Sequence, residues 1–159
     1  MEAEEESGEE GTAGRSPAPR THPGTARKGQ GTDVRLTILG GGGFRVPLVY
    51  GALLADRADG RVTQVVLHDV DTDRLKAVTG GLAEQADGVP DAPEVRVTTD
   101  VDDALRGADF VFSAIRVGGL EGRVHDEQVA LAEGVLGQET VGAGGIAYGL
   151  RTVPVAVDI

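Results

Sequence analysis

Large apolar side chains are almost absent from the first fifth of the chain and then appear in regular blocks. Between Met1 and Asp33 the only large apolar side chain is Met1 itself. From Val34 the pattern changes. Val34-Arg-Leu-Thr-Ile-Leu39 is a strand-like run that stops at four glycines, Gly40 to Gly43. Pro47 then opens an apolar-periodic stretch to Leu54, and Pro is well tolerated in the first turn of a helix. Gln64-Val-Val-Leu67 reads as a second strand ending in His68-Asp69. Asp71 is placed to cap a helix over 72–85, with Leu75, Val78 and Leu82 on one face. Val95 to Thr98 is a third strand, and Asp100 can cap a short helix from Val101 to Leu105. Phe110-Val-Phe-Ser-Ala-Ile115 is nearly continuous in apolar character, the pattern of a strand buried on both faces. A helix is expected over 120–133, a glycine turn at Gly142 to Gly145, and a last helix over 146–157.

Strands alternating with helices at this spacing are βαβ units of a parallel sheet. Right-handed crossovers put the first strand in the middle, in the order 3-2-1-4 of a Rossmann-type half. The expected organisation is an α/β domain over 34–159 behind a disordered tail over 1–33. The tail cannot bury enough surface to offset the entropy of ordering it.

Charge narrows the classes. The 15 Lys and Arg against 26 Asp and Glu leave a formal net charge of -11, which argues against nucleic acid or an anionic membrane surface. Three Phe, two Tyr and no Trp leave little on which bases could stack. No apolar run approaches the roughly 20 residues of a membrane span. Met1 to Glu10 holds six Glu and no apolar stretch, unlike a secretory signal. Without a cysteine there is no disulfide, thiolate ligand or Cys nucleophile within this chain. A cytoplasmic protein is expected.

Gly40 to Gly43 is the first candidate for chemistry. A sharp turn between strand and helix, free of side chains, lets a dinucleotide pyrophosphate approach the helix N-terminus. Arg45 stands where G-x-G-x-x-G would have its third glycine counted from Gly40, so either helix–strand packing is looser or the helix starts differently. Asp69 ends the second strand 26 residues after Gly43, near the distance at which an acid bonds the adenosine ribose hydroxyls. A cap or solvated loop acid is the other use for it. An acid there repels a 2′-phosphate, which favours NAD over NADP. Arg116, in Ile115-Arg-Val-Gly-Gly119, follows the fourth strand on the ligand side of such sheets. Its planar fork suits an anion, though a solvated loop arginine has the same sequence. Glu139 is a possible functional acid or a turn cap. His22, His68 and His125 form no ligand spacing, which argues against a metal site complete within these residues.

Ordered blocks along the chain carry a resemblance. They are Leu36 to Gly43 followed by Pro47, Leu67-His-Asp69, Ala108-Asp-Phe-Val111, Ile115-Arg-Val-Gly-Gly-Leu120, Asp126-Glu-Gln128, Gly137-Gln-Glu-Thr140 and Gly144 through Pro154. Together they resemble the N-terminal part of glycoside hydrolase family 4, closest to its 6-phospho-β-glucosidases. The resemblance implies a dehydrogenase-like fold, NAD and a divalent metal, Mn2+, with a phosphorylated disaccharide or glucoside as substrate. It implies hydrolysis by redox-assisted elimination: hydride from sugar C3 to NAD, removal of the C2 proton by a Tyr base, and a metal-stabilised enediolate. It further implies a homo-oligomer at full length. Residue by residue, Gly40, Gly41, Gly42, Gly43, Phe44, Asp69 and Arg74 would hold NAD, and Arg116 would meet the phosphorylated sugar. The family's Cys and His metal ligands and its Tyr base have no counterpart before residue 159. Tyr50 and Tyr148 match other helices. The chain is thus expected to stop ahead of the family's C-terminal catalytic part, within a helix, as a shortened chain or partial sequence would, and to be inactive by itself. Gly43 to Val46 stands where the family carries a Ser/Thr-bearing stretch, and Ala130 to Gly134 replaces its Pro-Leu-Lys-Tyr-Gly. Other readings are the α-glucosidase or galacturonidase specificities of the family, a 2-hydroxy-acid dehydrogenase, or a non-enzymatic nucleotide-binding fragment.

Overall fold

A computed structural model describes residues 33–139 and 141–159. The tail expected over 1–33 lies outside the described residues apart from Asp33. Strand β1 (Val34–Leu39) runs through the middle of a four-stranded parallel sheet, joined on one side by β2 (Val62–His68) and β3 (Glu94–Thr98) and on the other by β4 (Phe110–Ser113). The order β3-β2-β1-β4 is the expected one. Leu39 pairs with His68 and with Ser113, and His68 with Thr98, so all four strands end level.

Helices α1 (Val46–Ala55) and α2 (Thr72–Ala86) cover one face. Ile38, Val65 and Leu67 pack there against Val46, Tyr50, Leu75 and Leu82. The Tyr50 hydroxyl donates to the Pro93 carbonyl at 2.9 Å, which satisfies a buried polar group. Burial pushes its pKa up. Alternation along the strands sends Thr37 and Val66 the other way. On that side the Thr37 hydroxyl donates to the Ala104 carbonyl of α3 (Val101–Leu105) at 2.8 Å. Both expected caps form. Asp71 accepts from the amides of Asp73 and Arg74, and Asp100 from that of Asp103.

Two expectations fail. The run from Phe110 was expected to be buried on both faces, yet Phe110 is 61% and Val111 50% exposed. β4 bonds only to β1, and no further strand flanks it among the described residues. An apolar run has the same sequence whether or not its cover is present. Gly142 to Gly145, expected as a turn, is the first turn of α5 (Gly142–Asp158), which follows α4 (Gly119–Ala132). Glycine is about 1 kcal/mol poorer than Ala in a helix, but a Cβ at Gly144 would overlap the Gln138 carbonyl. Packing overrides propensity there.

Candidate functional site: the glycine turn and the end of the sheet

The level strand ends form a rim, and the glycine turn sits at its centre. The amides of Gly40 and Gly41 both donate to the His68 carbonyl, at 2.9 and 2.7 Å. β2 therefore grips the turn from below. Each glycine has its own steric reason. Gly40 has φ +84, and a Cβ on it would stand 2.7 Å from the Ala114 carbonyl; at Gly41 it would meet Leu67 at 2.7 Å. At Gly42 it would meet the Arg74 Cβ at 2.6 Å and Asp69 Oδ2 at 3.0 Å, and at Gly43 only the Gly40 carbonyl at 3.0 Å. Close approach of backbone to backbone is what glycine permits.

Asp69 is bound into this turn. Its Oδ2 accepts from the Gly42 amide at 2.9 Å and its Oδ1 from the Asp71 amide at 3.1 Å. It is half-buried and does not cap α2, since Asp71 does. Each carboxylate oxygen keeps an accepting lone pair. Arg74 lies in the first turn of α2, its side chain mostly exposed, with Nε 3.2 Å from Asp71 Oδ2.

Beyond Gly43 the chain enters α1 at Val46, so Arg45 precedes the helix and close packing at the third glycine position is not needed. Among the described residues the amides of Phe44 and Arg45 have no hydrogen-bond acceptor, while that of Val46 donates to the Gly43 carbonyl at 3.1 Å. Phe44 is 79% exposed. The two free amides immediately precede the N-terminus of α1, which is an anion-binding arrangement.

A second cluster stands past β4. The Arg116 guanidinium lies 5.5 Å above the Tyr148 ring and 3.5 Å from Glu139 Oε2. Arg123 reaches the same oxygen at 2.8 Å, an ionic contact not aligned as a hydrogen bond, and bonds Glu127 at 2.8 Å. Glu139 is held there because its strand of chain packs closely on α4: a Cβ at Gly137 would meet the Glu127 carbonyl at 2.6 Å. Glu139 is thus an ion-pair partner of two arginines.

The pair beside this cluster has no role in the sequence reading. Arg151 of α5 forms two hydrogen bonds to Asp126 of α4, at 2.9 and 2.6 Å, and its Nε donates to the Val117 carbonyl at 2.8 Å. The Asp126 side chain is 4% exposed. Hydrogen bonding from Arg151 holds its carboxyl below the ordinary 3.8. The same contact raises the Arg151 pKa. Gly118 and Gly122 leave the room Arg151 occupies: a Cβ at either would lie 2.9 or 3.1 Å from its guanidinium side chain. Asp126 and Arg151 sit in blocks that the sequence singled out, 25 residues apart, but no local signal pairs them. Among the described residues no group of three or more His, Cys, Asp or Glu is placed to hold a metal ion.

Comparison with known proteins places this geometry. Phospho-alpha-glucosidase PagL of Clostridium acetobutylicum is 38% identical over 126 residues, covering 78% of this chain and 28% of that protein. A solved 6-phospho-alpha-glucosidase from gut microorganisms, in complex with NAD and glucose-6-phosphate, matches with a TM-score of 0.74 at 35% identity, over 80% of this chain and 30% of that one. The 6-phospho-beta glucosidase of Thermotoga maritima, solved with manganese, NAD+ and glucose-6-phosphate, matches with a TM-score of 0.73 at 30% identity, over 79% of this chain and 30% of that one. The chain therefore spans under a third of the length of these relatives. The model of the family 4 glycosyl hydrolases matches residues 35–159, and the chain belongs to that family.

Proposed function

We propose that residues 34–159 are the NAD-binding part of a 6-phosphoglucosidase that works by redox-assisted elimination. One observation carries this reading. The Asp69 carboxylate is bonded to the Gly42 amide at 2.9 Å inside a turn with no room for a Cβ, the arrangement in which an acid meets a ribose while glycines admit the pyrophosphate. NAD+ would supply a reversible hydride acceptor. The chain's own residues do the holding. Asp69 offers its remaining lone pairs to the ribose hydroxyls, and its charge disfavours a 2′-phosphate. Phe44 and Arg45 donate their amides to the pyrophosphate. Arg116, stacked on Tyr148 and only 3.5 Å from Glu139, keeps donors for the phosphate of a 6-phosphosugar. Arg123 holds Glu139 at 2.8 Å, which leaves Arg116 the more available of the two guanidinium groups. Holding a metal is not a task of these residues, which offer no cluster for one among those described.

The resemblance favours the β linkage, while α- and β-named relatives both match. A chimera tests the whole proposal: residues 34–159 replace the matching segment of the Thermotoga maritima enzyme. With NAD+ and Mn2+, the chimera should hydrolyse a nitrophenyl 6-phosphoglucoside, and the two anomers report the linkage. The 159-residue chain by itself should not. A chimera that folds and binds NAD+ but hydrolyses neither anomer contradicts the proposal.

A further inference from the structure

The residue that follows the glycine turn is electrostatically out of place. Arg45 immediately precedes α1 with helical backbone angles, φ -83 and ψ -17, and makes no side-chain capping bond. The first turn of α1 contains no acidic residue. A cation at a helix N-terminus opposes the helix dipole, which favours negative charge there. By contrast, α2 and α3 begin with capping Asp71 and Asp100 and carry further acids in their first turns. In a chain of net charge -11, Arg45 has no carboxylate within 4.0 Å among the described residues. Its guanidinium carbon lies 4.8 Å from the centroid of the Phe44 ring. Phe44 is itself 79% exposed, so the stack holds the guanidinium at the loop tip instead of over the core.

We infer that Arg45 is a pyrophosphate-binding side chain, a cation stationed beside the two free amides to bind the diphosphate of the cofactor. The inference rests on the cofactor reading above and adds to it a residue that the glycine-loop pattern does not contain. Arg45 and the helix N-terminus repel each other until an anion comes between them. A bound diphosphate relieves that repulsion and accepts the planar fork of the guanidinium. Phe44 positions the arginine by stacking under it.

The arrangement makes affinity and stability move in opposite directions, which a structural role for Arg45 would not do. The test titrates the 159-residue chain and its Arg45→Gln, Arg45→Lys and Arg45→Glu variants with NAD+ and with ADP-ribose. Thermal midpoints of the ligand-free proteins are read alongside. Arg45→Gln should bind both ligands about tenfold more weakly, and its affinity should depend less on salt. Arg45→Lys should fall between, keeping the charge but losing the fork. Arg45→Glu should lose binding while its ligand-free midpoint rises, because an acid suits the N-terminus of α1. Equal affinity in the parent and Arg45→Gln overturns the inference and leaves the cofactor reading standing. A lowered midpoint in Arg45→Glu also overturns it, since Arg45 would then be structural. A parent chain that binds neither ligand overturns the cofactor reading, and this inference with it.

Discussion

The two sides of β1 are built differently. Toward β2 and β3, apolar packing dominates: Val65 and Leu67 are 0% exposed and Ile38 1%, and they lie under α1 and α2. Toward β4, the parts are tied by polar bonds. The β1–β4 ladder covers four residue pairs, and α4 and α5 are joined by the Asp126–Arg151 pair, while Phe110, Leu120, Ile146 and Leu150 remain exposed. The glycine turn is fastened to the first side through the His68 carbonyl. The Arg116 cluster belongs to the second. The proposed cofactor end is therefore preformed on a packed core, whereas the proposed phosphate end depends on the buried Asp126–Arg151 pair.

The largest effect expected from this contrast is in the core. Leu67→Ala should cost about 2–5 kcal/mol in urea unfolding, from lost burial and the cavity left behind. Leu150→Ala, at a position 74% exposed, should stay within about 0.5 kcal/mol. Similar losses at both positions would erase the distinction between the two sides.

Next in size is the ion pair. Asp126→Asn leaves the Arg151 guanidinium without its counter-charge in a largely buried setting, and removing one partner of such a pair is strongly destabilising. Hydrogen exchange should then quicken in α4 and α5 while β1 to β3 keep their protection. Acid should do the same to the parent. The Asp126 carboxyl is held below 3.8 when folded, so its stabilisation is complete above that value and is lost as pH falls through the depressed one. Loss of α4–α5 protection already at neutral pH would contradict the assignment.

A smaller and more local effect separates the glycines. Gly40→Ala meets both a positive φ and the Ala114 carbonyl at 2.7 Å, whereas Gly43→Ala meets only the Gly40 carbonyl at 3.0 Å, with no left-handed φ. The first should cost about 1–2 kcal/mol from its backbone conformation alone and weaken NAD+ binding. The second should be the milder in both readouts. Reversed order in a paired melting and titration experiment would mean the turn has been placed wrongly.

Much of the first side was legible because its signals are local. The caps at Asp71 and Asp100 act within a few residues of where they stand. The glycine run after Leu39 and the acid at Asp69 each mark the end of a strand, although Asp69 bonds Gly42 across 27 residues. Chirality and short connections then leave one strand order. The second side was less legible because its determinants are distant in sequence. Nothing near Asp126 announces Arg151, and nothing in Gly137-Gln-Glu139 announces that Arg116 and Arg123 converge on one carboxylate oxygen. Burial of β4 was misjudged for a related reason: apolar residues show that a strand suits a cover, not that a cover is present. Gly142 to Gly145 was misjudged because glycine's preference for turns is weak against the close packing of Gly144 on Gln138.

The central claim is that the glycine turn and Asp69 form a dinucleotide site selective for an unphosphorylated ribose. Calorimetric titration of the 159-residue chain with NAD+ and NADP+, beside Gly42→Val, tests it most directly. The parent should bind one NAD+ per chain, with NADP+ about tenfold weaker, a difference of about 1.4 kcal/mol. Gly42→Val should bind neither, because its Cβ would stand 2.6 Å from that of Arg74 and 3.0 Å from Asp69 Oδ2. Equal affinity for the two nucleotides, or undiminished NAD+ binding by Gly42→Val, would contradict the account.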